Sequence, residues 1–126
     1  MGDSCDVVDR FNGQCQCGGV QFSVKAPTLF CSHCHCRYCQ KAHGAAFVTW
    51  VGCHAENVKF TLSTNIEIKW FESSAFSRRG FCSNCGSRLF FESKFCVGEL
   101  HIARAYFDTS IDREPEQHDF YDQNAT

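Results

Sequence analysis

The chain has 126 residues, a formal net charge of −2 and a pI near 6.3, the size of one domain spanning 1–126 and too short for a second of ordinary dimensions. So balanced a charge offers no field to nucleic acid or an anionic membrane, and no stretch is apolar for long enough to cross a bilayer. Eleven cysteines form an odd set, and with no basic and apolar leader at Met1–Asp6 the chain is expected in the reducing cytoplasm, where close cysteine spacings read as metal sites rather than disulfides.

Thirteen phenylalanines beside a single methionine favour sheet, so the fold class expected is mainly β. After a short polar lead, Gly13-Gln14-Cys15-Gln16-Cys17-Gly18-Gly19 runs into Val20-Gln21-Phe22-Ser23-Val24-Lys25, which alternates as a half-buried strand does. Gly18 can take positive φ and turn backbone N–H groups toward the sulfurs, which makes this a C-x-C knuckle. Pro27 ends the strand. Residues 31–44 then pack four cysteines and three histidines together, with one short helical turn expected over Arg37–His43 and a stop at Gly44.

Ala45–Cys53 is a continuous apolar run expected in the centre of a sheet. Val58–Leu62 and Ile66–Glu72 both alternate and read as two antiparallel strands with one wet face, separated by a turn at Thr64-Asn65. Phe76–Phe81 leads into Cys82-Ser83-Asn84-Cys85-Gly86, a second knuckle with glycine after its last cysteine. Arg88–Glu92 and Leu100–Phe107 are strand-like, and His118–Tyr121 is a candidate last strand in an acidic tail.

Each knuckle has two thiolates and neither is a complete site. Pairing Cys15 and Cys17 with Cys82 and Cys85 gives a closed four-thiolate zinc site that ties the first strand to the middle of the chain. Cys34-x-Cys36-x-x-Cys39 is a separate group of three thiolates. Three ligands leave a tetrahedral ion one position short, the mark of catalytic zinc, unless Cys31 or a histidine completes a structural site. Cys5, Cys31, Cys53 and Cys96 stand in contexts that suit small buried hydrophobes or idle thiols.

These motifs, Gly13-x-Cys15-x-Cys17-Gly18, Cys34-His35-Cys36-x-x-Cys39-Gln40-Lys41 and Arg79-x-Phe81-Cys82-x-x-Cys85-Gly86, resemble the glutathione-dependent formaldehyde-activating enzyme family, also called centromere-protein-V-like, over about residues 13–118. The resemblance implies a mainly β fold of antiparallel sheets with zinc knuckles, shared with a Rab-binding zinc chaperone and with methionine-R-sulfoxide reductases. It implies a structural zinc on Cys15, Cys17, Cys82 and Cys85 and a second, reactive zinc on Cys34, Cys36 and Cys39, so that two ions per chain are expected, the second site partly occupied. The implied activity is that of a carbon–sulfur lyase handling S-hydroxymethylglutathione, with a small thiol such as glutathione and formaldehyde as partners.

Around the second site, a zinc on three thiolates is net negative before its last ligand arrives, so nearby cations matter. Arg37, Lys41, Arg78 and Arg79 are the candidates. His35, His33 and His43 could move a proton, with His35 the first choice for a catalytic part. His101 and His118, remote in sequence, are expected to be structural, and Trp50 and Trp70 to be core. The rival reading is a non-catalytic two-zinc protein that serves as a binding module for a macromolecular partner.

Overall fold

The structure, a computed structural model, describes residues 10–124; Cys5 lies outside them. Strands β1 (Arg10–Gln14), β2 (Val20–Lys25) and β5 (Val58–Leu62) form a three-stranded antiparallel sheet in the order β1-β2-β5. The other seven build the larger sheet: β3 (Phe30–Cys34), β4 (Val48–His54), β6 (Ile68–Glu72), β7 (Ser77–Cys82), β8 (Arg88–Ser93), β9 (Glu99–Ala103) and β10 (Gln117–Asp119), ordered β10-β3-β4-β9-β8-β7-β6. The helix α1 (Arg37–His43) is stopped by Gly44 in the left-handed conformation, at φ 62°, as the glycine after it suggests.

The small sheet packs on one face of the large one. Alternation places Val20, Phe22 and Val24 inward on β2, against Val51, Phe90, Leu100 and Ile102 of the large sheet, all buried. Phe22 stands edge-on to Phe107 at 5.0 Å and to Phe90 at 6.1 Å. Burying each such side chain contributes about 2–3 kcal/mol, so this layer is the main source of stability. The opposite face of the large sheet carries a second apolar cluster of Cys34, Cys39, Val48, Trp50 and Ala103, and there the helix sits. On that face Phe30 lies flat over Gly52, its partner in the β3–β4 register, and a Cβ at Gly52 would strike the ring.

The helix bounds and the Val20–Lys25 and Val58–Leu62 strands are those the sequence predicts. Four features differ. The strand-like run Leu100–Phe107 is strand only as far as Ala103, where β9 ends and a 3-10 turn over Arg104–Tyr106 follows. The strands β5 and β6 are not partners: β5 pairs with β2, Phe60 opposite Phe22, while β6 pairs with β7 at the far edge of the large sheet. Alternation measures one wet face and is blind to which sheet owns the strand; the turn at Ser63–Ile66, with Asn65 at φ 66°, carries the chain between sheets. The lead before the first knuckle includes β1, and the last strand, β10, runs parallel to β3, in a fold otherwise antiparallel in all its paired strands.

Candidate functional site

The four cysteines of the two knuckles meet where the β1–β2 turn faces the β7–β8 turn. Their sulfurs all lie within 4.8 Å of one another, with Cys15–Cys17 at 3.6 Å and Cys17–Cys82 at 3.8 Å. Four sulfurs about 2.3 Å from a tetrahedral zinc would stand about 3.8 Å apart, so the set fits that ion. The two turns are built alike. Gly18 N–H donates to Cys15 O and Gly86 N–H to Cys82 O, with φ of 80° and 76° at the two glycines, and backbone amides then face the sulfurs: Val20 onto Cys15, Gly19 onto Cys17, Asn84 onto Cys82. Burial pushes the Cys15 thiol up to about 11, so proton release there needs a cation.

The second group is assembled from the end of β3 and the start of α1, on the outer face of the large sheet. Cys34 ends β3, Cys36 caps α1 by accepting from Cys39 N–H at 3.3 Å, and Cys39 sits in the first turn of the helix. Cys34 and Cys39 sulfurs are 3.5 Å apart, and the three fall within 4.8 Å. Among the described residues no fourth cysteine, histidine or carboxylate joins the group. Cys31 is turned to the inner face and fully buried in the main core, so it does not complete the set. Three thiolates that converge without a fourth fit a zinc with an exchangeable position.

What distinguishes this group is its side-chain surroundings. Trp50 Nε1–H donates to Cys39 Sγ at 3.4 Å and Arg79 Nη2–H at 3.6 Å. Arg79 is only 4% exposed, its guanidinium rests 4.9 Å over Phe91, and its Nε and Nη1 have no acceptor. No carboxylate pairs with it among the described residues. Burying a guanidinium without an opposite charge is costly, so the thiolates are its counter-charge. Hydrogen bonds from the Cys34 and Cys36 thiols, then from Trp50, with the charge of Arg79 adding to them, hold Cys39 well below the ordinary thiol value against burial. The same contacts from Cys36 and Cys39 push Cys34 up. A divalent ion is what would let all three ionise.

The three cysteines open on a cavity of about 470 Å³, within the range of small-molecule sites. Its floor is the sheet face, with Phe30, Trp50, Phe91, Arg79 and His101, and the tail from Asp119 to Gln123 forms one side. The tail is fastened by a backbone bond from His35 N–H to Asp119 O at 2.8 Å, by Ser32 Oγ–H to Asp119 at 2.8 Å, and by Gln40, whose Nε2 donates to His35 O and Gln123 O.

The remaining candidates fall into place. His35 is 5% exposed, lies behind the cavity wall, and shares a hydrogen bond of 2.9 Å between its Nε2 and His118 Nδ1; its own Nδ1 is buried without a partner. His118, expected to be structural and remote, is therefore next to the site, brought there by the parallel pairing of β10 with β3. His33 bonds Thr49 Oγ1 at 2.7 Å, and His43 stands edge-on to Trp50 at 5.4 Å. Burial, then Arg79, draws His43 down to about 4. His101, also expected to be structural, lines the cavity floor. Of the cations, Arg37 lines the mouth and Lys41 is exposed away from the sulfurs. Arg78 pairs with Glu92 at 2.7 Å and stacks on Trp70. Trp50 is core as expected, yet also a donor to sulfur, a role that composition carries no sign of.

A model of the glutathione-dependent formaldehyde-activating enzyme family matches residues 10–123. A Schizosaccharomyces pombe protein described as an uncharacterized lyase is 31% identical over 84 residues, which is 65% of this chain and 57% of that protein; the match spans little more than half of that relative's length. The crystal structure of a Rhodobacter sphaeroides protein from a structural genomics programme superposes with a TM-score of 0.62 at 18% identity, over 85% of this chain and 98% of that one. That likeness concerns the fold. Among the described residues no helix is long and apolar enough to cross a membrane.

Proposed function

The chain belongs to the glutathione-dependent formaldehyde-activating enzyme family, and from that premise we propose that it is a zinc-dependent carbon–sulfur lyase acting on the adduct of a small thiol with a small aldehyde, of the S-hydroxymethylglutathione class. Cys15, Cys17, Cys82 and Cys85 hold a structural zinc in this reading, and Cys34, Cys36 and Cys39 a second, reactive one. The observation that carries it is the opening of three converged cysteines, with no fourth ligand among the described residues, onto a 470 Å³ cavity.

A zinc held there would supply a Lewis-acidic position at which a thiol stays ionised at neutral pH. The chain's own part is charge and enclosure. Arg79 and the Trp50 N–H offset the negative charge that three thiolates gather, so Cys39 is kept ionised and oriented. Phe30, Trp50 and Phe91 exclude water from the floor, which strengthens those contacts. In the lyase direction the C–S bond of the adduct breaks, the hydroxyl carbon becomes the aldehyde carbonyl, and the hydroxyl proton ends on sulfur; the reverse addition balances in the same atoms. A side chain that passes this proton directly must reach the cavity, as Asp119 does. His35 acts from behind, through His118 and the backbone bond to Asp119, as a residue that positions the Cys34–Cys36 segment.

The test is exchange between free and adduct pools at equilibrium, read by two-dimensional NMR with glutathione and formaldehyde, because the uncatalysed reaction is itself fast. Exchange accelerated by the native protein and returned to background by Cys36→Ser or by zinc removal is the expected result. Exchange at background with glutathione and with other small thiols would overturn the lyase reading in favour of a binding module.

A further inference from the structure

We propose that Cys96, Glu99 and His101 form a further divalent-cation site, separate from both cysteine clusters and of the zinc class. The three lie at the β8–β9 hairpin, in the spacing Cys-x-x-Glu-x-His, and one ligand atom from each falls within 4.8 Å of the others. His101 Nε2 and Glu99 Oε1 are 2.9 Å apart. Two such ligands on a tetrahedral zinc would stand about 3.3 Å apart, so a small torsional opening admits the ion.

The hairpin presents these donors in a fixed way. Cys96 N–H donates to Ser93 O and Glu99 N–H to Cys96 O, while Gly98, at φ 84°, turns the chain and its carbonyl accepts from Ala55 N–H at 2.8 Å. The His101 ring is held between Phe30, edge-on at 4.9 Å, and Phe91, stacked at 5.7 Å. Its tilt is therefore set before any ligand arrives. All three residues are half-buried, and none takes part in either cysteine cluster.

The donor set decides the class of ion. A thiolate and an imidazole beside one carboxylate suit zinc and its neighbours and are poor partners for magnesium or calcium, which take oxygen. A second consideration points the same way: a thiolate and a carboxylate this close repel one another, and only a cation between them would let both be charged. Cys96 and Glu99 also border a surface depression of about 280 Å³, whereas His101 faces the larger cavity. The site would thus stand between the two, with water able to fill its remaining position.

The test uses the purified two-zinc protein, exposed to an alkylating agent with and without added Zn²⁺, with modification followed at the Cys96 peptide by mass spectrometry. Added Zn²⁺ should slow alkylation of Cys96 by about tenfold or more, since the thiolate is both the metal ligand and the nucleophile. Mg²⁺ at the same concentration should not. Glu99→Gln and His101→Asn should each abolish the protection while the peptides of both cysteine clusters stay protected, which shows that the variants fold. Cobalt titration should give about one equivalent fewer for Cys96→Ser than for the native chain, with loss of part of the thiolate charge-transfer absorption. Alkylation of Cys96 at the same rate with and without Zn²⁺, equal protection by Mg²⁺, or protection that survives both Glu99→Gln and His101→Asn would overturn the proposal.

Discussion

The two cysteine clusters use the same donor atom and similar sulfur spacings, 3.6 and 3.8 Å in one and 3.5 Å in the other, yet they are embedded differently. The four-cysteine set is served by backbone amides from two glycine-ended turns and ties the small sheet to the large one. The three-cysteine set takes one backbone amide, Cys39 N–H onto Cys36, adds the side-chain donors Trp50 and Arg79, and faces a cavity. Backbone donors are available to any turn of that shape, whereas a buried arginine must be supported by the fold. In the proposed reading, that difference is the one between a cluster that holds the chain together and one that the fold holds in readiness.

The largest effect should come from breaking the closed cluster. A structural zinc on four thiolates contributes about 10 kcal/mol or more of apparent folding free energy, well above the stability of a small domain. Cys82→Ser or Cys15→Ser should therefore give unfolded or insoluble protein, while Cys36→Ser should fold with near-native circular dichroism and a cooperative melt. Equal damage from both kinds of substitution would erase the contrast between the clusters.

Next in size is Arg79→Gln, which removes the buried cation and leaves the negative charge of the second cluster uncompensated. Outer-shell partners of this kind are worth about 10- to 100-fold in metal affinity. The expected outcome is a second zinc weakened by that factor in a competition with a chromophoric chelator, with the first zinc unchanged. Arg79→Lys should recover part of the loss, because a point charge replaces the fork but not its fit to sulfur and to Phe91.

How much of this could be read beforehand follows from the range of each interaction. Ligand spacing is local, so Cys15/Cys17, Cys34/Cys36/Cys39 and Cys82/Cys85 stand out from the chain as it is written, as do the helix over Arg37–His43 and its glycine stop. What surrounds the ligands is not local. Arg79 is 40 positions from the cysteine it faces and His118 is 83 from His35, and the pairing that brings His118 in rests on a strand of three residues, too short to show a period. Trp50 looks like core because it is core; only its N–H has a second use. Cys96, Glu99 and His101 are close in sequence, but their spacing matches no familiar ligand motif, and it takes the hairpin to turn them together.

A smaller effect concerns acid. His43 has an ordinary value of 6.5, and the fold draws it down to about 4, through burial first and then Arg79. The folded state thus binds fewer protons than the unfolded one. Its contribution is complete above about pH 6.5 and is lost as pH falls from there toward 4, amounting to on the order of 2 kcal/mol. His43→Gln should lose less stability than the native chain over that window in chemical denaturation. Because acid also protonates thiolates, the quantity to compare is the difference between the two proteins at each pH; parallel curves would mean that His43 does not resist protonation in the fold.

The smallest expected effect isolates one hydrogen bond. Trp50→Phe deletes the Nε1–H that points at Cys39 Sγ and keeps an aromatic ring beside Phe91 and His43, which lie 5.9 and 5.4 Å from the indole. A hydrogen bond to a charged acceptor is worth about 1.5–3 kcal/mol where it is short and well formed; at 3.4 Å, to a diffuse sulfur, about 1 kcal/mol is the reasonable size. That corresponds to a zinc off-rate from the three-cysteine cluster raised about fivefold. Release followed with a chromophoric chelator should be biphasic in the native protein, and only the fast phase should accelerate in the variant. The slow phase, from the four-cysteine cluster across the core, is the internal control, because a general loosening from the smaller ring would move both. A fast phase that stays put would mean that Arg79 alone balances the thiolates, and a shift of both phases would mean that Trp50 matters as packing and not as a donor.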